Sequence, residues 1–236
     1  MPRANRYFVP GQICHLTHRC HNRQFLFRFA RDRSAYRQAL WASLRAAGVS
    51  VLAYCLTSNH THVLARAESP GALSQWMQEL EGSFAQAYNR RKGRSGAFWA
   101  DRYHCTMIEP GGHLWKCLVY IDLNMVRAGV VKHPGQWPWC GYSEWAGSRR
   151  RYRVVDQAEC LRVLGSPTLE EFRVHYEDLI QETLARGMVR EPHWTEAIAV
   201  GSQAFVESVA LTVKHRQELQ YSDNRGEWLG AAGSLA

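Results

Sequence analysis

Two histidines, His60 and His62, flank a single threonine directly after the apolar run Val49–Leu56. On a strand, alternate side chains share a face, so both imidazoles would project the same way and could share one divalent ion. About sixty residues later, Leu114–Arg127 reads as a helix. At 100° per residue Lys116, Tyr120, Asn124 and Arg127 fall in one narrow stripe of it, between apolar residues on either side. Burying unpaired polar groups is costly, so the stripe either serves a site or faces solvent, and the helix alone leaves both open. A phenol with a pKa near ~10 is a weak nucleophile at neutral pH and needs nearby positive charge or a polarised target. Lys116 and Arg127 could stabilise a developing phenolate or bind phosphate. An ion held by His60, His62 and the Asn124 carbonyl could polarise a phosphoryl oxygen and orient the leaving group. Two imidazoles and an amide suit Mg²⁺ or Mn²⁺ with positions open for water and phosphate. A structural zinc site would be expected to offer four protein ligands, usually including thiolate. The combination points to phosphodiester chemistry.

The elements that must position these groups are legible around them. Residues 11–18 read as a first strand, in which Ile13, His15 and Thr17 alternate with Cys14, Leu16 and His18. A polar loop, Arg19–Gln24, follows. A helix is predicted over 31–47 from Tyr36, Leu40, Leu44 and Ala47, with Gly48 suited to its end. Strands are predicted over 49–56 and 60–66, and a helix over 70–91, opened by Pro70 and marked by Leu73, Met77, Leu80, Phe84 and Tyr88. A basic loop at 90–96, a strand over 103–109 and a helix over 112–128 complete the order β-α-β-β-α-β-α. That order predicts an α+β fold, a ferredoxin-like antiparallel sheet with helices on one face. Residues 1–147 form one expected domain. Residues 148–236 read as a helical C-terminal extension, with helices at 156–164, 168–186 and 201–219 and a loosely ordered tail from 222.

Charge is segregated along the same boundary. Residues 1–150 hold 20 Lys+Arg against 8 Asp+Glu, a net +12, and residues 151–236 hold 9 against 13, a net −4. Concentrated positive charge favours a polyanionic partner through counterion release, so nucleic acid leads. No apolar run approaches the roughly 20 residues that a membrane-spanning helix needs. The basic N-terminus lacks the apolar segment of a secretory signal. An odd count of 7 cysteines without a Cys-x-x-Cys pair speaks against a disulfide framework and a zinc ribbon, and for a cytoplasmic setting.

Three segments in order, Asn59–Leu64, Phe98–His104 and Tyr120–Gly129, resemble single-tyrosine HUH transposases, most of all the REP-associated tyrosine transposases. The Arg19–Gln24 loop and Trp137-Pro138-Trp139 are similar to that subgroup too, so the resemblance spans about residues 5–147. It implies the HUH endonuclease fold and a metal-dependent endonuclease and strand transferase acting on single-stranded DNA at hairpin repeats. By that likeness His60 and His62 bind the metal and Asn124 supplies an amide third ligand. Tyr120 attacks the phosphate to leave a 5′-phosphotyrosine and a free 3′-hydroxyl. The subgroup also favours a monomer, associated with the nucleoid through DNA. Thr61 stands where relatives usually carry a hydrophobic residue, and Met125 where many carry proline.

Arg19, Asn22, Arg23, Arg90, Arg91, Lys92, Arg94 and Arg102, with Lys116 and Arg127, are candidate DNA contacts; a solvated charged face is the competing reading. Trp137, Trp139 and Tyr142 could stack on unpaired bases or anchor a connecting loop. His15 or His18 could pack within the sheet, with His21 on DNA and His104 in the core or at phosphate. Two other functions fit parts of the pattern. A non-catalytic hairpin-DNA-binding regulator would share the scaffold but need not keep His60, His62, Tyr120 and Asn124 intact. A barrel-type metal hydrolase would need further His and Asp ligands on later strands, which this element order does not supply. The acidic C-terminal helices are expected to fold over the basic face and restrain DNA access.

Overall fold

The computed structural model describes residues 11–45, 47–69, 71–149, 151–189, 191–212, 220–222 and 228–230. Its elements run β1 Ile13–Arg19, α1 Ala30–Ser43, β2 Val49–Leu56, β3 His60–Ala67, α2 Ala72–Lys92, β4 His104–Ile108, α3 Gly112–Asp122 and α4 Asn124–Arg127. The C-terminal third adds α5 Tyr142–Trp145, α6 Gln157–Leu164, α7 Leu169–Arg186, α8 His193–Glu196, β5 Ala199–Val200 and α9 Gln203–Thr212. A short antiparallel pair, β6 Gln220–Ser222 with β7 Trp228–Gly230, runs into the tail expected to be loosely ordered from residue 222. Within the expected 201–219 helix, residues 213–219 lie outside the described residues.

The α+β, ferredoxin-like plan holds: the first four strands are antiparallel in the order β2-β3-β1-β4. Two features extend it. A fifth strand, β5, pairs parallel to β4 through Met107 and Ile108, so the sheet is mixed. The C-terminal region is thus built into the sheet and is not helical throughout.

The second difference concerns the helices, which cover both faces and not one. Register pairs Thr17 with His62 and Arg19 with His60, putting Ile13, His15, Thr17, His60 and His62 on one face. Cys14, Leu16, His18, Thr61 and Val63 occupy the other. That second face meets α1 and α2, where Tyr36 donates to Glu81 at 2.6 Å, and Phe27, Leu40, Trp76, Leu80 and Phe84 are buried. The first face meets α3, α4 and α8. A sheet covered on both sides must present apolar residues in both directions. This explains why β2, Val-Ser-Val-Leu-Ala-Tyr-Cys-Leu, is buried at every position but Ser50. Each large apolar side chain fully buried in these layers contributes about 1.5–3 kcal/mol.

The expected helix over 112–128 is two, interrupted at Leu123, whose ψ is 2°. Neither Gly nor Pro marks the break, so tertiary contacts must set it. Asp122 is drawn toward α7 by the hydroxyl of Tyr176 at 2.7 Å, and Asn124 toward β3 by His62 at 2.9 Å. Gly129 (φ 69°) then ends α4, donating to Val126 at 2.8 Å while Val130 donates to Met125 at 3.0 Å. In the C-terminal part, Asp156 caps α6 through the Glu159 amide at 3.0 Å and Thr168 caps α7 through the Glu171 amide at 3.1 Å.

The C-terminal part also packs on the helix that carries Tyr120. Phe172 of α7 stacks on Trp115 of α3 at 5.0 Å and packs at a tilt against Trp145 at 4.2 Å. Six of the seven cysteines are buried. Among the described residues, no helix is long and apolar enough to cross a membrane.

Candidate active site

The first sheet face and the α3–α4 turn enclose a cavity of about 760 Å³. Arg19 and Thr17 reach it from β1, His60 and His62 from β3, Tyr120 from α3, Asn124 and Arg127 from α4, and Arg102 and His104 from the approach to β4. Thr195 and Glu196 complete the wall from α8. The histidine pair and the tyrosine–amide stripe, about sixty residues apart in sequence, thus meet because β1 pairs with β3 and α3 crosses their shared face.

The two imidazole centroids are 4.8 Å apart. His60 Nδ1 lies 2.7 Å from the Asn59 Oδ1 and 2.9 Å from the Thr57 hydroxyl. An amide oxygen only accepts, so His60 Nδ1 carries the proton and its Nε2 holds a lone pair. His62 is only 2% exposed. Its Nδ1 lies 2.9 Å from His15 Nε2, and its Nε2 lies 2.9 Å from the Asn124 amide nitrogen. Burial pushes His60 down to about 3, helped by the Arg19 and Arg127 charges. Burial likewise holds His62 well below the usual imidazole range, with His60 and His15 adding to the effect. Both rings are therefore uncharged at neutral pH, the state a metal ligand needs.

Among the described residues no group of three His, Cys, Asp or Glu side chains is arranged to hold a metal ion. The donor set is two neutral imidazoles and one amide, which can offer its oxygen by turning about its last bond. That mixture of nitrogen and oxygen donors fits Mn²⁺ and Mg²⁺, ions that keep several waters, and lacks the thiolates of a closed zinc site.

Tyr120 is 8% exposed, and its ring sits edge-on to His62 at 6.1 Å and to His15 at 6.0 Å. The Arg127 guanidinium lies 4.0 Å from the ring centroid. A cation over the ring face favours any build-up of negative charge on the phenol.

The structure places the other predicted contact residues in several different surroundings. Lys116, placed in the same stripe, is exposed and lines an adjoining cavity of about 500 Å³ between α3 and α7, which shares Tyr120 and Arg127 with the first. Arg19, Arg23, Arg102 and Arg127 line the first cavity; Arg90, Arg91, Lys92 and Arg94 do not. Arg91 and Lys92 instead neutralise the fully buried Asp32 at 2.7 and 3.2 Å, and Arg94 braces its own loop through Asn89 and Ala97. Asn22 stands exposed beside the cavity loop with φ 50°. Trp137 donates to Leu56 at 3.0 Å, Trp139 packs on Arg33 at 4.2 Å, and Tyr142 donates to Glu177 at 2.7 Å. These rings anchor the connecting loop.

Thr61 points away from the site, 1% exposed beside Tyr36 on the α1–α2 face. Its identity therefore costs the histidine pair nothing. His18 also faces that side, stacked on Trp99 at 4.1 Å, and His104 sits 2.9 Å from the Ala197 carbonyl. Trp194, Thr195 and Glu196 were not anticipated, since nothing local connects them to residues so far back in the chain.

A family described as IS200-like transposases has a model that matches residues 9–123. The solved structure of a REP-associated tyrosine transposase bound to a REP hairpin superposes with a TM-score of 0.54 at 20% identity, covering 66% of this chain and 94% of that one. At that identity the likeness establishes the shared fold. No curated protein matches the chain.

Proposed function

We propose, from the match of residues 9–123 to the IS200-like transposase model, that the chain is a metal-dependent single-strand DNA endonuclease and strand transferase. Its substrate is a hairpin-forming single strand, and its intermediate a 5′-phosphotyrosine on Tyr120. One observation carries this reading: a buried tyrosine under Arg127 opens into the same cavity as two neutral histidines and an amide. The solved relative, bound to a REP hairpin, supports the substrate class.

His60, His62 and Asn124 would hold the ion, which when bound supplies Lewis-acid polarisation of the scissile phosphate. The remaining work falls to the protein. Arg19, Arg23 and Arg102 line the cavity as basic contacts for the backbone phosphates. Arg127 favours charge on the phenol oxygen of Tyr120 as it attacks phosphorus and the 3′-oxygen leaves. The strand downstream then stays covalently attached, conserving the bond energy for transfer to another 3′-hydroxyl. Burial at the α3–β3 face keeps bulk water from the ester.

The test is incubation of the full chain with a hairpin oligonucleotide and Mn²⁺. Cleavage by the wild type and its loss in His60→Ala support the reading; tight binding without cleavage would favour a non-catalytic hairpin-binding regulator.

A further inference from the structure

His15 belongs to neither the metal set nor the nucleophile, yet it is fully buried against both. Its Nδ1 lies 2.8 Å from the backbone carbonyl of Trp194, and its Nε2 lies 2.9 Å from His62 Nδ1. The rings of His15 and His62 are stacked at 5.1 Å with an interplanar angle of 22°.

A chain of imidazoles can carry its protons in either of two directions, and the Trp194 carbonyl removes the symmetry. A carbonyl only accepts, so His15 Nδ1 must donate. With one proton per ring, His15 Nε2 then accepts, and His62 Nδ1 must donate to it. The remaining nitrogen, His62 Nε2, keeps its lone pair, and the Asn124 amide nitrogen at 2.9 Å is the donor that meets it. In the reverse order His15 Nδ1 and the Trp194 carbonyl would be two acceptors 2.8 Å apart. Asn59 fixes His60 in the same sense from the opposite side. Both nitrogens that can face an ion thereby present lone pairs before any ion arrives.

We propose that His15 is a positioning residue, which, tied to the Trp194 carbonyl, holds His62 in the tautomer whose Nε2 lone pair points into the cavity. The consequence for metal affinity rests on the function proposed above; the tautomer does not. The C-terminal third thus acts on the metal ligands through one backbone carbonyl. A hydrogen-bond partner behind a ligating histidine fixes ring orientation and ligand basicity, and its loss costs about 10–100-fold in metal affinity.

The experiment uses the full-length, metal-free protein labelled with ¹⁵N on histidine, read by long-range imidazole correlations, followed by titration with Mn²⁺ alone. His62 is expected to be protonated at Nδ1. His15→Leu should leave His62 a mixture of tautomers and weaken Mn²⁺ binding about 10–100-fold. His15→Gln, which can both accept and donate, should restore most of each. A wild-type His62 protonated at Nε2 would overturn the proposal, as would unchanged tautomer and Mn²⁺ affinity in His15→Leu. Should His15→Leu fail to fold, the wild-type spectrum and His15→Gln still decide. Absence of Mn²⁺ binding by the wild type would refute the metal part of the function while leaving the tautomer result to judge His15.

Discussion

The indole of Trp194 lies 5.8 Å from the ring of Tyr120, so the proposed nucleophile rests on a segment from the far end of the chain. The same stretch continues into β5, which completes the sheet beside β4. Truncation after Ala146 is therefore expected to unfold the protein. It would remove a strand, the Phe172 stack on Trp115 and the partner of Asp122 together. Far-UV circular dichroism and thermal melts check this; a folded fragment with enhanced cleavage would restore the idea of a removable restraint.

Tyr176 donates to Asp122 at 2.7 Å in a site where both are buried. Tyr176→Phe leaves a buried carboxyl without that donor, and should cost about 1–3 kcal/mol. Denaturant midpoints measure it, and an unchanged midpoint would contradict the packing described.

Stability should rise from acid toward neutral pH and level off above about 7. Burial pushes His15, His60 and His193 down to about 3. Below the ordinary value of 6.5 the unfolded chain takes up protons that the folded rings refuse, so stability is full above 6.5 and falls with acid. Asp122 has the opposite sign. Burial raises it from 3.8 to about 7, so its contribution is full below 3.8 and is lost as pH rises from there through about 7. Melting temperatures from pH 4.5 to 8.5 should rise toward neutrality and then level, and Asp122→Asn should steepen the acid limb.

The two groups of basic residues should separate in DNA binding. Arg19 is exposed at the cavity, so Arg19→Ala should weaken binding across sequences and lower the salt slope by about 1. Arg91 is engaged with Asp32, so Arg91→Ala should chiefly affect stability. Fluorescence anisotropy over a salt series distinguishes them.

Much of this was legible because the signals were local. Val49–Leu56 announced its own strand, and the His-x-His spacing required a shared face. Tyr120 and Asn124 needed only helical periodicity to appear together. Contacts made at long range were not legible. Two residues, Ala199 and Val200, are too short a strand to leave a pattern, and Leu123 carries no sign of the helix break. His15 looked like a sheet residue because its alternation partners are buried on both faces. The apolar continuity of β2 was the available sign that helices lie on both sides.

The central claim is that Tyr120 joins covalently to the 5′ end it creates. Hairpin oligonucleotides labelled at the 3′ or the 5′ end, incubated with Mn²⁺ and resolved on denaturing gels, measure it most directly. The account predicts that only the 3′-labelled fragment migrates with wild-type protein, and that neither does with Tyr120→Phe. An adduct that survives in Tyr120→Phe, or one carrying the 5′ label, would contradict it.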